Sequence, residues 1–200
     1  MNPPQTLYFA YGSNLSLKQM SLRCPESRFI GRAVLHNFHW QINQRGYANV
    51  VPAPVPNPGD AVPASRDVVE GLCFLLSRSD EERLDRAEGV PTAYEKMYDE
   101  VEFFPATGGL VGRSVVEIVN HDLVLARGQE RVGEGGERVL ALVYASRRHT
   151  ANGQPSGEYV GRMNLGIRDA LALGVSRGHV DAKLRPLLKM ASKCRGERTV

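Results

Sequence analysis

The sequence predicts an α+β protein. The order of its strand-like and helix-like runs is that of a mixed fold, and long irregular loops separate them. Its 200 residues suit one domain, 1–200, with a sizeable core, and no internal repeat divides them. Composition agrees with a globular chain: 42% of residues are hydrophobic and 24% charged.

The same composition excludes several function classes. No run is long and apolar enough to span a bilayer. Met1-Asn2-Pro3-Pro4-Gln5 lacks the basic start and apolar core of a signal peptide, so a soluble, cytoplasmic protein away from membranes is expected. Cys24, Cys73 and Cys194 are scattered and odd in number, which predicts neither a disulfide framework nor a metal site. The net charge of +3 is small, and its excess gathers near the C-terminus at Lys183, Arg185, Lys189, Lys193, Arg195 and Arg198. No aromatic interleaving accompanies these residues, so a solvated end is expected and no nucleic-acid partner.

The first element is Leu7-Tyr8-Phe9-Ala10-Tyr11, an apolar, aromatic-rich run that reads as a buried strand and stops at Gly12. A helical pattern follows, with Leu17, Met20 and Cys24 on one face and Pro25 as its end. By pattern alone this is a strand-to-helix turn with Ser13, Asn14 or Ser16 as N-cap. Gly12 also lets a ligand approach the backbone closely. The first N–H groups of a helix suit a carboxylate, or an oxygen that becomes negative during a reaction. The glycines of a phosphate loop or a dinucleotide fingerprint are missing, and Tyr11 and Leu15 stand where a nucleophile elbow needs glycine.

Phe29 to Ile42 reads as one or two strands. In a continuous run Val34, His36, Phe38, Trp40 and Ile42 share a face, opposite Asn37, His39 and Gln41. Arg45 to Val51, followed by Pro52, Pro54, Pro56, Pro58 and Pro63, reads as an extended loop. Val68 to Leu76 is a buried strand. The next helix has Ser79 and Glu82 as its capping box, Leu84, Ala87 and Val90 as its buried stripe and Gly89 as its stop. Glu88 is misplaced for stability in that helix, because the last turn is the negative end of the dipole. The helix-end field and partial burial both raise its pKa, which makes a carboxylate a better base. Met97 to Phe104, Ser114 to Val124 and Arg138 to Ser146 read as strands, and Pro105 to Gly112 and Gly128 to Gly136 as loops. Val160 to Leu173 is a helix with Val160, Met163, Ile167, Ala170 and Leu171 near one face. A last helical region, Val180 to Ala191, carries Pro186 and should kink or split there.

Tyr8-Phe9-Ala10-Tyr11-Gly12-Ser13-Asn14-Leu15 resembles the signature of the gamma-glutamylcyclotransferase family. Leu84-Asp85-Arg86-Ala87-Glu88-Gly89-Val90, with Tyr94 beyond, is similar to the stretch around that family's catalytic glutamate. Pro155-Ser156-Gly157-Glu158-Tyr159 resembles its Pro-Ser-x-x-Tyr element. The resemblance implies a small mixed β-barrel flanked by helices. It implies Glu88 as the catalytic residue, and Tyr8, Phe9, Ala10, Tyr11, Gly12, Ser13, Asn14, Tyr144 and Tyr159 as substrate-binding residues, with Ala48 near them. Tyr11, Tyr144 and Tyr159 are, on their residue type alone, equally core aromatics. Ser176 and His179 depart from the family's Gly-Leu-Pro-x-x-Tyr element and bear on the substrate's side chain.

The implied reaction releases 5-oxoproline from a small-molecule gamma-glutamyl substrate. It needs no cofactor and no metal, because nucleophile and electrophile belong to one molecule. Asn14 favours the branch acting on gamma-glutamyl amino acids. Alternatives from the same residues are a biosynthetic relative that unmasks a specialised product or a glutathione conjugate, and a non-catalytic gamma-glutamyl-binding module. Family relatives are often dimers, which leaves room for a homodimer here.

Overall fold

A seam between the first strand and the last closes the molecule's central barrel. The computed structural model describes residues 5–54, 67–124, 132–133 and 135–193. Five strands, β1 (Thr6–Ala10), β2 (Arg28–His36), β5 (Val68–Leu76), β6 (Glu95–Pro105) and β7 (Glu137–Ala145), form a closed barrel in the order β1-β5-β2-β6-β7. Neighbours pair antiparallel, except that β7 returns parallel to β1 with Tyr8 beside Leu142. This is the barrel that the family resemblance implies.

Large apolar side chains of these strands fill the core. Phe9, Phe29, Leu35, Leu72, Phe74 and Leu76 are fully buried, and each contributes about 1.5–3 kcal/mol. Gly71 permits the close approach of β5 to β1. A Cβ there would lie 2.3 Å from the Ala10 carbonyl oxygen and 2.7 Å from the Phe9 ring.

Phe29 to Ile42 is two strands in two different sheets. Asn37 takes a left-handed φ of 62° and turns the chain out of the barrel into β3 (Phe38–Ile42). The buried face of β2 is therefore Phe29, Gly31, Ala33 and Leu35, while Val34 and His36 face outward and are half-buried. His36 meets Glu102 across the barrel wall at 2.8 Å. Arg45 to Val51 is not all loop: β4 (Ala48–Pro52) pairs antiparallel with β3, and Pro52 ends it.

Six helices flank the sheets among the described residues. Ser16, rather than Ser13 or Asn14, caps α1 (Leu17–Arg23), because residues 13–15 are taken up by a 3-10 turn. Asp169 adds a second cap, accepting the Leu17 N–H at 3.0 Å. In α2 (Arg78–Glu88) the cap is Ser77, two residues before the expected Ser79, and Gly89 ends the helix in the left-handed conformation. Leu84 is buried there, but Ala87 is exposed, because its face of α2 borders a cleft. Val115–Asn120 is a helix, α3, where the β-branched run suggests a strand. Val115 and Ile118, three apart, pack α3 onto α1 and override strand propensity.

Ser156 caps α4 (Gly157–Ala172). After α5 (Arg177–His179), a π-helical turn over Val180–Leu184 leads into α6 (Arg185–Lys193). The π turn is the form taken by the expected irregularity, and it ends two residues before Pro186. Lys183 pairs with Asp67 at 3.1 Å and Arg185 with Asp181 at 2.7 Å, so two of the C-terminal basic residues are engaged in ion pairs. Cys24 and Cys73 are buried free thiols. Met1 to Pro4, Pro56, Pro58, Pro63, most of the Gly128–Gly136 loop, Cys194, Arg195 and Arg198 lie outside the described residues. Among those described, no helix is long and apolar enough to cross a membrane.

Candidate active site

A cavity of about 280 Å³ opens where β1, the 3-10 turn, β4, the end of α2 and the start of α4 converge. Six of the chain's seven tyrosines line it. Of the residues expected at the site, Tyr8, Tyr11, Gly12, Ser13, Asn14, Glu88, Tyr144 and Tyr159 all line it, as does Ala48. Phe9 and Ala10 do not: they are fully buried in the barrel core. His179 is also away from the cleft, buried against β5 with its Nε2 accepting the Glu70 N–H at 3.3 Å.

Gly12 ends β1 and starts the 3-10 turn, whose Leu15 N–H donates back to the Gly12 carbonyl at 2.9 Å. A side chain at Gly12 would meet the Tyr159 hydroxyl at 3.2 Å and the Ala48 Cβ at 3.3 Å. Glycine is thus what lets three elements meet at this corner. Two tyrosines clamp the Ala48 peptide from opposite polarities. The Ala48 N–H donates to Tyr159 Oη at 3.1 Å, and Tyr94 Oη donates to the Ala48 carbonyl at 2.7 Å. Tyr11 Oη donates to the Tyr144 carbonyl at 2.5 Å, across the seam of the barrel. Tyr144 Oη in turn donates to Asp85 Oδ1 at 2.6 Å, and Lys96 holds the other Asp85 oxygen at 3.1 Å.

Glu88 sits in the last turn of α2 with its side chain turned inward, 15% exposed. Asn14 Nδ2 and Arg23 Nη1 both donate to its Oε1, each at 2.9 Å. Asn14 also donates to Tyr8 Oη at 2.8 Å, while its own Oδ1 accepts from Gln19 at 2.7 Å and Arg23 at 3.0 Å. Every polar atom of the Asn14 amide is therefore committed, and the carboxylate is held on one oxygen only. Among the described residues no hydrogen bond reaches Oε2. Burial raises the Glu88 pKa, while Arg23 and Asn14 pull it down; burial wins. Burial also pushes the hydroxyls of Tyr8, Tyr11, Tyr94, Tyr144 and Tyr159 up, which keeps them protonated as hydrogen-bonding groups.

Arg23, Arg45, Tyr47, Arg86, Tyr94 and Arg162 also line the cavity and were not among the expected binding residues. Arg162 had a readable signal: it lies three residues after Tyr159, on the same helical face. Arg23 had none, since its contact with Glu88 joins two separate helices.

An inward carboxylate, anchored on one oxygen beside a glycine corner and ringed by protonated hydroxyls, can move protons on a small polar ligand. The comparisons with known proteins agree in family. The chain is 27% identical over 189 residues to gamma-glutamyl cyclotransferase gliK of Aspergillus fumigatus, covering 88% of this chain and 61% of that protein. It thus spans less than two thirds of the fungal relative's length. It is 27% identical over 184 residues to a gamma-glutamylcyclotransferase of Bos taurus, covering 86% of this chain and 91% of that one. A solved gamma-glutamyl cyclotransferase superposes with a TM-score of 0.56 at 20% identity, covering 95% of this chain and 99% of that one, a likeness of fold. The family model described as "Gamma-glutamyl cyclotransferase, AIG2-like" matches residues 8–116, and the chain belongs to that family.

Proposed function

We propose that the protein is a gamma-glutamylcyclotransferase, an enzyme that closes the gamma-glutamyl group of its substrate into 5-oxoproline and releases an amine. The observation that carries this reading is the one-sided anchoring of Glu88: Oε1 accepts both bonds, and among the described residues none reaches Oε2 of this cavity-lining carboxylate. Glu88 takes a proton from the substrate's α-ammonium. The nitrogen lone pair then attacks the γ-carbonyl carbon, a C–N bond forms, and the carbonyl oxygen becomes negative. When the carbonyl re-forms, the bond to the departing nitrogen breaks. Of the three protons on the attacking nitrogen, one stays in the lactam and two end on the departing amine, and Glu88 carries them across in turn.

Few groups are required, because attack within one molecule already supplies a large proximity gain. Backbone N–H groups around Gly12 and Ser13, which line the cavity, would hold the oxyanion or the α-carboxylate. The tyrosine hydroxyls shape the cavity, and no step calls on a cofactor.

The test is 5-oxoproline release from a panel of gamma-glutamyl dipeptides and glutathione. Glu88→Gln keeps the side chain's shape but cannot take a proton. It should abolish turnover, by about 10²-fold or more, while substrate still binds. Near-normal turnover by that variant would remove Glu88 from the mechanism.

A further inference from the structure

The two ends of the cleft differ in chemistry. At the inner end Glu88 is matched to Arg23 at 2.9 Å. At the mouth, Arg45 is exposed on the β3–β4 turn and Arg162 is half-buried on α4. Both guanidinium groups reach the ring of Tyr47, Arg45 at 5.8 Å and Arg162 at 6.0 Å, and Arg162 also lies 5.2 Å from the ring of Tyr159. Ring faces hold such planar cations in place.

Charge at the cleft is unbalanced. Four arginines and one carboxylate line it, and that carboxylate already has Arg23. Among the described residues Arg45 enters no ion pair. Arg162 has one partner, Glu158, which is 71% exposed and therefore well screened by solvent. The Arg162 charge also acts on Glu88, but one carboxylate cannot offset four arginines, so the cleft keeps an excess of positive charge in a concave site that concentrates its field.

We propose that Arg45 and Arg162 form a second anion subsite for the carboxylate of the amino acid that the reaction releases, so that the enzyme selects gamma-glutamyl amino acids over gamma-glutamylamines. The inference rests on the proposed cyclotransferase reading. It follows from the direction of the substrate. The α-amine must reach Glu88, so the ring-closing half fills the inner end. The departing half then points to the mouth, where guanidinium forks suit a carboxylate.

The test compares 5-oxoproline release from gamma-glutamylalanine and gamma-glutamylalaninamide, which differ only in a carboxylate replaced by an amide. The unaltered enzyme should favour the acid by about tenfold or more in kcat/KM, chiefly through KM. In Arg45→Gln combined with Arg162→Gln that ratio should fall to about one, and Arg162→Lys should restore part of it. Should the double variant not fold, Arg45→Gln alone, on an exposed turn, should still narrow the ratio. Equal use of acid and amide by the unaltered enzyme would overturn the subsite. So would an equal loss on both substrates in the variant, which would assign the arginines to the shared glutamyl half. Release of 5-oxoproline from neither substrate by the unaltered protein would instead overturn the cyclotransferase reading, and the subsite with it.

Discussion

Arg23 and Glu88 pull the chemistry in opposite directions. Burial raises the Glu88 carboxyl, and the Arg23 guanidinium is the strongest of the groups lowering it. A base works only when ionised, so activity should fall as pH drops through the Glu88 pKa. Arg23→Gln removes the principal counterweight, and the acid limb of kcat/KM should move to higher pH. A pH–rate profile of 5-oxoproline release checks this; an unmoved limb would mean that Arg23 does not tune the base. The raised pKa also bears on folding. The protonated form of Glu88 is favoured by the fold below its unfolded pKa of about 4.3, and that stability is lost as pH rises through the folded value. Once ionised above that value, the buried Glu88 carboxylate is thus a burden on stability. Glu88 and the Gly12–Asn14 corner were legible in the sequence because each is a short contiguous motif. Arg23 was not, because a pair joining two helices leaves no trace in local spacing.

At the scale of elements, α2 carries a second buried acid. Asp80 lies in its first turn, where the helix dipole favours a negative charge, yet both carboxyl oxygens are buried without a hydrogen-bond partner. The backbone N–H groups of Glu26 and Ser27 approach it without reaching hydrogen-bond geometry. Burial, reinforced by the charge of Glu26, raises Asp80 to about 6. Its folded pKa exceeds the unfolded value of about 3.9, so its stabilising contribution is full below pH 4 and lost as pH rises through about 6. Asp80→Asn keeps the shape without the charge. Its Tm should exceed that of the parent at pH 7 and above, with the gap closing toward pH 4; parallel Tm curves across that range would contradict the assignment. The elements misread from sequence share one cause. Val115–Asn120 has strand-like residues but folds as a helix where it meets α1. Ala48 to Pro52 looks like loop until β3 supplies its pairing partner. In both, a neighbour distant in the chain decides what local propensity leaves open.

At the scale of the whole molecule, the barrel depends on how closely β1 and β5 approach. Gly71→Ala places a methyl group 2.3 Å from the Ala10 carbonyl oxygen, a backbone atom that cannot swing aside. The expected loss is about 1–3 kcal/mol, typical of overpacked cores, read as a lower midpoint in denaturant. A midpoint equal to the parent's would show that the two strands part without penalty. The mixed α+β class was legible from the run of strands, helices and loops. A small barrel was implied by the family resemblance and not by periodicity; its full closure was not legible, since no local pattern announces that the last strand returns to the first.

That return has a consequence for synthesis. Tyr11 and Tyr144 are joined across the seam, so the chamber around Glu88 is bounded by residues made at quite different times. A chain still emerging from the ribosome holds the glycine corner and the acid long before β7 is translated. Until that strand arrives the nascent protein carries its reactive parts on an unfinished wall, with nothing to enclose a substrate.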